Sequence, residues 1–237
     1  MEDNDVRQSF GLLFEIPTWA HPSRGARTLQ SLLPPAGKDV VYLSLGQRIQ
    51  LAAQLATAIH SFGIVRWFHK NFNSHKIFFF SNKVSGKYNF KWPWIVGFDI
   101  SRPDNTQTEI ASMNKDLEEM SIYLHPDLRI AGPSERPKYM RRYDIYSLGL
   151  VLVEIGFWSK LGSLMKSKLG SSPEQFREAI ILKCEAQLAH FMGVRYKDLV
   201  VNCLKGDDIT ESVDDFYWIV VMELLKCPLN CQEGFEG

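Results

Sequence analysis

The sequence predicts a mainly α-helical domain that carries short β-hairpins, and three observations lead to that class. Two long segments open with helix-capping signals and hold an apolar face: "SLGQRIQLAAQLATAIHSFG", with Ser44 and Gln47 at capping-box spacing, and "SPEQFREAIILKCEAQLAHFMG", with Ser172 as N-cap and Pro173 as first helical residue. A third, "YDIYSLGLVLVEIGFW", is apolar nearly all round, the pattern of a helix buried on every side. Strand-like composition is confined to short runs.

Taken in order, "FGLLFEI" (10–16) reads as a short buried strand ended by Pro17. "TLQSLL" reads as a helical turn stopped by Pro34 and Pro35. The capped segment from Ser44 is the clearest helix of the first half, with Gly63 as its expected stop and small residues that suit close packing. "KIFFFSN" and "WPWIVGF", separated by a polar turn with Gly86, read as a hairpin. Residues 101–142 are polar and interrupted by glycine and proline, so they predict an extended segment with little regular structure. The remainder is helical and closes with "VDDFYWIVVMELLKC".

Composition limits the function classes. The chain has 237 residues, 45% of them hydrophobic, which is enough to bury a sizeable core. The 27 basic and 27 acidic side chains cancel, so no global field favours nucleic acid or an anionic membrane. No apolar run approaches the roughly 20 residues needed to span a bilayer, and the start "MEDNDVRQSF" lacks a signal-peptide pattern, so a cytoplasmic protein without membrane insertion is expected. Cys184, Cys203, Cys227 and Cys231 read as reduced thiols. "CPLNC" has a loose metal-like spacing, but no second pair or neighbouring His completes a tetrahedral set, so no metal or other cofactor is expected. No G-x-S-x-G elbow suggests a hydrolase, and His60 and His69 are separated by a glycine turn without a carboxylate partner.

The order of parts carries a resemblance. A helix ending "IHSFGIV", a loop, a hairpin, a segment ending "YLHPDL" and the buried helix "DIYSLGLVLVEI" are together similar to the C-terminal lobe of protein kinases. Asp144, Ser147 and Gly149 match the D-x-[WY]-S-x-G start of a kinase helix, and "YKDLVVNCL" resembles a later L-V-x-x-C-L pattern. "IVGFDISRPD" and "YLHPDL" look most like the kinase-like domains of filamentous fungi, often found beside death-inducing HeLo-type domains. The resemblance implies a single domain over 1–237, with 1–16 as a tail and hinge-like strand and 101–142 as an activation-segment-like region. The hinge-like strand begins at Phe10 and no G-x-G-x-x-G occurs, so the expectation is a C-lobe with the N-lobe largely absent.

"HKNFNSHKIFFF" falls on the kinase catalytic loop H-R-D-L-x-x-x-N. His69 is kept, Lys70 replaces the Arg, Asn71 stands at the base position and Lys76 at the metal-binding Asn. Asn cannot accept a proton, and an ammonium repels a divalent cation. "GFD" then falls on D-F-G: Gly97 stands at the metal-binding Asp, Phe98 is retained, and Asp99 stands where Gly belongs. Asp99 as a relocated ligand is disfavoured, because two residues along a strand its side chain lies about 7 Å away.

In the kinase fold the Asp that opens the buried helix accepts hydrogen bonds from the loop backbone, and the loop His packs on the Phe of D-F-G. The resemblance assigns these parts to Asp144, His69 and Phe98, either as plain core residues or as a movable spine that signals to a partner. Pro126 and Asp127 fall on the A-P-E motif, and Glu211 falls where the partner Arg belongs, so Asp127 must find another donor, with Arg141 and Arg142 nearest in sequence. The reading is a non-catalytic pseudokinase scaffold in a fungal signalling or programmed-cell-death protein, and the alternative is a divergent ATP-dependent kinase or nucleotide-dependent transferase whose N-lobe is encoded upstream. A protein partner or another domain of the same polypeptide is expected to dock where Phe90, Trp92 and Trp94 form an apolar patch, with self-association as the fallback.

Overall fold

The computed structural model describes residues 15–34, 41–98, 102–103, 120–130, 137–206 and 212–227. Most of the strand read at 10–16, together with Asp99, Glu211 and Cys231, lies outside these residues. The described chain is mainly helical with a small antiparallel sheet. No described helix is long and apolar enough to cross a membrane.

The chain enters through β1 (Arg27–Thr28) and α1 (Leu29–Leu32), where the Thr28 hydroxyl accepts from the Ser31 N–H. The helix α2 (Leu45–Ile64) begins with a complete capping box between Ser44 and Gln47. Gly63 is not its stop. The helix runs through Gly63, which is buried, and the left-handed turn falls on Arg66 at φ 54°. A Cβ at 63 would meet Arg141 Nε at 3.5 Å and Val213 at 3.8 Å, ordinary van der Waals distances, so neither backbone conformation nor packing requires glycine here.

β2 (Trp67–Phe68) leads through a 3-10 turn (Ser74–Lys76) into β3 (Ile77–Phe79). β3 pairs with β4 (Trp94–Ile95), with Phe78 opposite Trp94, which forms the expected hairpin. β1 adds to the other edge of β3, with Arg27 opposite Phe79. β2 pairs with β5 (Arg102–Pro103), a strand inside the segment expected to be extended and irregular. Two-residue strands show no alternation, so sequence patterning could not reveal them.

After α3 (Pro126–Ile130), the central helix α4 (Arg141–Phe157) is buried from Tyr143 to Gly156. It ends at Trp158, left-handed at φ 49°, whose indole donates to the Val41 carbonyl at 2.7 Å. α5 (Leu161–Leu164) and a second capping box, Ser172 with Gln175, precede α6 (Pro173–Lys183). A π turn (Cys184–Leu188) links α6 to α7 (Ala189–Met192). Next come α8 (Val194–Lys205), α9 (Val213–Phe216), a second π turn (Tyr217–Val221) and α10 (Met222–Lys226). α4 packs on α2 and α8 in one core. Gly149 sets the second contact: a Cβ there would lie 3.0 Å from Cys203 Cβ and 3.1 Å from Leu204. Cys184, Cys203 and Cys227 are buried free thiols, and burial pushes Cys184 and Cys203 each up to about 12.

Candidate functional site

Asp144 organises the loop that follows β2. It sits in the first turn of α4 and is buried, with Oδ2 accepting from the His69 N–H at 2.7 Å and Oδ1 from the Lys70 N–H at 3.0 Å. The Tyr139 hydroxyl donates to Oδ1 at 2.7 Å. Burial raises the Asp144 carboxyl, and these donors pull it back. A buried carboxylate with three donors is the arrangement that compensates its lost hydration. It also holds Lys70 at φ 63°, a left-handed conformation costly for a residue with a Cβ. The Lys70 ammonium lies 5.6 Å from the Tyr139 ring centroid.

The His69 ring is fixed in one neutral tautomer. Nε2 lies 3.0 Å from the Val96 carbonyl and so carries the proton, which leaves Nδ1 to accept from the Asn71 N–H at 3.4 Å. Burial lowers the His69 pKa; Asp144 opposes the shift and the Lys76 ammonium adds to it. The ring packs among Phe98 at 5.1 Å, Phe72 at 5.7 Å and Phe62 at 6.1 Å between centroids. Asn71 turns inward to its own loop, its side-chain oxygen accepting from Asn73 Nδ2 at 2.9 Å.

Lys76 and Gly97 occupy one space. They face each other beside the β3–β4 pair, where the Val96 N–H donates to the Lys76 carbonyl at 2.9 Å. A Cβ at 97 would lie 2.9 Å from Lys76 Cδ, 3.1 Å from Cε and 3.4 Å from Cγ. Gly97 also has φ +93°, which L residues rarely adopt. The lysine stem therefore lies where the first carbon of any side chain at 97 would go.

Pro126 is buried at the start of α3, and Asp127 in the same turn pairs with Arg142 at 2.7 Å. Both side chains are more than a third exposed, so this pair adds little stability. The His125 Nδ1 lies 3.4 Å from Asp127, but burial holds the imidazole down at about 4 despite that carboxylate, with Arg142 and Arg177 adding to the depression. The ring is neutral at pH 7 and accepts from the Asp127 N–H at 3.2 Å.

The aromatic patch changes on folding. Phe90 is buried, packing on Phe79 at 4.6 Å and edge-on to Trp158 at 6.2 Å. Trp94 is half-buried against Phe80 at 5.6 Å. Trp92 alone of the three is exposed, at 63%. Phe90 is therefore removed from the expected docking face, which reduces to Trp92 and the half-buried Trp94.

Sequence reasoning missed Tyr139, Tyr123 and Glu154. Tyr139 gave no motif signal, although it completes the Asp144 set. Glu154, fully buried in α4, has Oε1 at 2.8 Å from both the Tyr123 hydroxyl and the Leu161 N–H. A lone acid inside "LVLVEIGF" was the available sign, since an acid in an all-round apolar helix must find buried donors. Ser147 ties the same region down, its hydroxyl lying 2.9 Å from the carbonyls of Tyr123 and Tyr143. No protein-family model matches the chain, and no curated protein matches it either.

Proposed function

We propose that the protein is a kinase-like pseudoenzyme that acts by binding a protein partner, in a fungal signalling or programmed-cell-death setting. The observation that carries the reading is the packing of Lys76 over Gly97. At the two positions where the resemblance places magnesium ligands, this chain has a cation and a residue with no side chain, and the stem of the first fills the space above the second. Asn71, at the position of the catalytic base, has no proton-accepting carboxylate and is turned into its own loop. The loop itself is firmly built: Asp144 holds its backbone and His69 is locked among three phenyl rings. A rigid loop without the groups for phosphoryl transfer suits a scaffold. Trp92, large, apolar and exposed, is the anchor proposed for the partner.

The test is thermal unfolding with ATP, with and without magnesium. No magnesium-dependent rise in melting temperature is expected. A rise of several degrees with Mg-ATP that EDTA abolishes would refute the reading and favour a divergent nucleotide-dependent transferase.

A further inference from the structure

A groove of about 310 Å3 lies between the start of α2 and the loop that joins β3 to β4. α2 contributes Gln47 and Gln50 to it, and the loop contributes Asn82, Lys87, Tyr88 and Asn89. Backbone bonds hold the loop in shape: the Asn82 N–H donates to the Lys87 carbonyl at 2.8 Å, the Gly86 N–H to the Asn82 carbonyl at 2.9 Å, and the Asn89 N–H to the Phe80 carbonyl at 3.0 Å. Gln54 of α2 donates to the Lys91 carbonyl and so ties the end of the loop to the helix.

Three amides of this groove have a fixed orientation. Asn82 Oδ1 accepts from the N–H groups of Val84 at 2.8 Å and Ser85 at 3.1 Å. Asn89 Oδ1 accepts from the Lys91 N–H at 3.0 Å, and Gln47 Oε1 accepts from the Ser44 N–H at 2.9 Å as half of the capping box. Only the oxygen of an amide can accept from an N–H, so each NH2 faces away from these bonds. None of the three NH2 groups donates to another group among the described residues. The exposed Lys87 adds an ammonium and Lys91 a second, and no acid or arginine is among the described residues that line the groove. A ligand that enters therefore meets oriented donors and positive charge.

We propose that this groove binds an extended acidic segment of a protein partner, whose carboxylates accept from the NH2 groups of Gln47, Asn82 and Asn89 and pair with Lys87. The partner is the one anchored at Trp92 under the protein-binding reading, on which this depends: the exposed Trp92 follows directly on the lining residue Lys91, so an apolar residue next to the acids can reach it. Carboxylates suit the groove better than phosphates do. Phosphate recognition favours arginine forks, and a nucleic-acid chain needs a strong positive field, whereas 27 basic side chains here face 27 acidic ones.

The test uses the full chain and a short fluorescent peptide rich in Glu with one leucine, read by anisotropy at low salt. The comparisons are the same peptide with Gln for every Glu, the same with Lys for every Glu, and a fluorescent oligothymidine of equal charge. Saturable binding of the Glu peptide, stronger than that of any comparison and weakening as salt is raised, is expected. The variant Gln47→Glu, Asn82→Asp, Asn89→Asp keeps every accepting oxygen, and with it the loop and the capping box, but turns each donor into a carboxylate oxygen. Its affinity for the Glu peptide should fall by about tenfold or more. Lys87→Glu, whose side chain makes no hydrogen bond among the described residues, should weaken binding several-fold and flatten the salt dependence. Absent binding of the Glu peptide, equal binding of the Gln or Lys peptide, tighter binding of the oligothymidine, or unchanged affinity in the variants overturns the proposal. Lys87→Glu decides the point even if the triple variant does not fold. Failure of the pseudoenzyme reading looks different: a magnesium-dependent thermal shift with ATP would refute it and leave the peptide result standing.

Discussion

Adding one carbon at position 97 tests the packing on which the functional reading rests. In Gly97→Ala the new Cβ meets Lys76 Cδ at 2.9 Å and Cε at 3.1 Å, and the backbone keeps φ +93°. Holding a residue with a Cβ in such a conformation costs about 1–3 kcal/mol. Pushing a flexible lysine stem off its rotamer costs a further ~0.5–1.5 kcal/mol. The stiffer unfolded chain returns about 0.4–1 kcal/mol. The net expectation is a loss of about 0.5–4 kcal/mol, read by urea unfolding followed through tryptophan fluorescence with an unchanged m value. The backbone part is independent of Lys76, and the steric part is not. In a Lys76→Ala background the same substitution should therefore cost about 0.5–1.5 kcal/mol less. An unchanged cost in that background would show that Lys76 does not fill the space above Gly97.

Four further outcomes are expected. Asp144→Ala leaves two buried N–H groups and the Tyr139 hydroxyl unpaired and should cost about 3–5 kcal/mol by denaturant unfolding, whereas Arg142→Ala breaks a half-exposed pair and should cost under about 1 kcal/mol; equal losses would contradict the account. His125 titrates at about 4 in the fold against 6.5 in the open chain, so its contribution is full above pH 6.5 and lost as pH falls to about 4; a His125→Gln variant should remove about 1–3 kcal/mol of that dependence. Glu154 has the opposite sign: its pKa rises from 4.5 to about 7, so its contribution is present below pH 4.5 and lost as pH climbs to about 7, and stability relative to Glu154→Gln should drift down by roughly 3 kcal/mol over that window. Trp92→Ala should weaken capture of a partner, or self-association seen by sedimentation, while changing stability by less than about 0.5 kcal/mol; a monomer whose partner capture is unaltered rules out this docking face.

The two opposite titrations overlap between pH 4.5 and 6.5, so the intact protein should show a shallow pH profile there although each group alone gives a steep one. Single substitutions are needed to separate them.

Legibility in the sequence followed how local each cause is. Ser44 with Gln47 and Ser172 with Gln175 act within one helical turn, and both capping boxes formed. α4 was readable because a run of apolar residues on all sides has no other stable placement. The β2–β5 pairing was not, since its two residues gain their partners only across the fold. Nor were the π turns at Cys184–Leu188 and Tyr217–Val221, where five residues are too few to separate their period from that of an α-helix. Gly63 misled because glycine was read as a helix stop, while the helix ran on through it and the left-handed turn fell on Arg66. Phe90 misled because an aromatic in a polar loop can point either way, and its burial depends on Phe79 and Trp158, remote in sequence. At the candidate site, the motif positions of His69, Phe98 and Asp144 led to groups that do touch or share a loop. The Lys76–Gly97 packing had no sequence signal, because it depends on the register of β3 against β4.

The central claim, binding without phosphoryl transfer, is tested most directly with radiolabelled ATP and magnesium. The purified chain is assayed for self-labelling and for labelling of generic protein substrates, beside the triple variant Asn71→Asp, Lys76→Asn, Gly97→Asp. The account predicts no transfer by the unsubstituted chain, and none by the variant, because positioning of the phosphates as well as these groups sets the rate. Magnesium-dependent transfer by the unsubstituted chain would contradict the account and make the protein a divergent kinase.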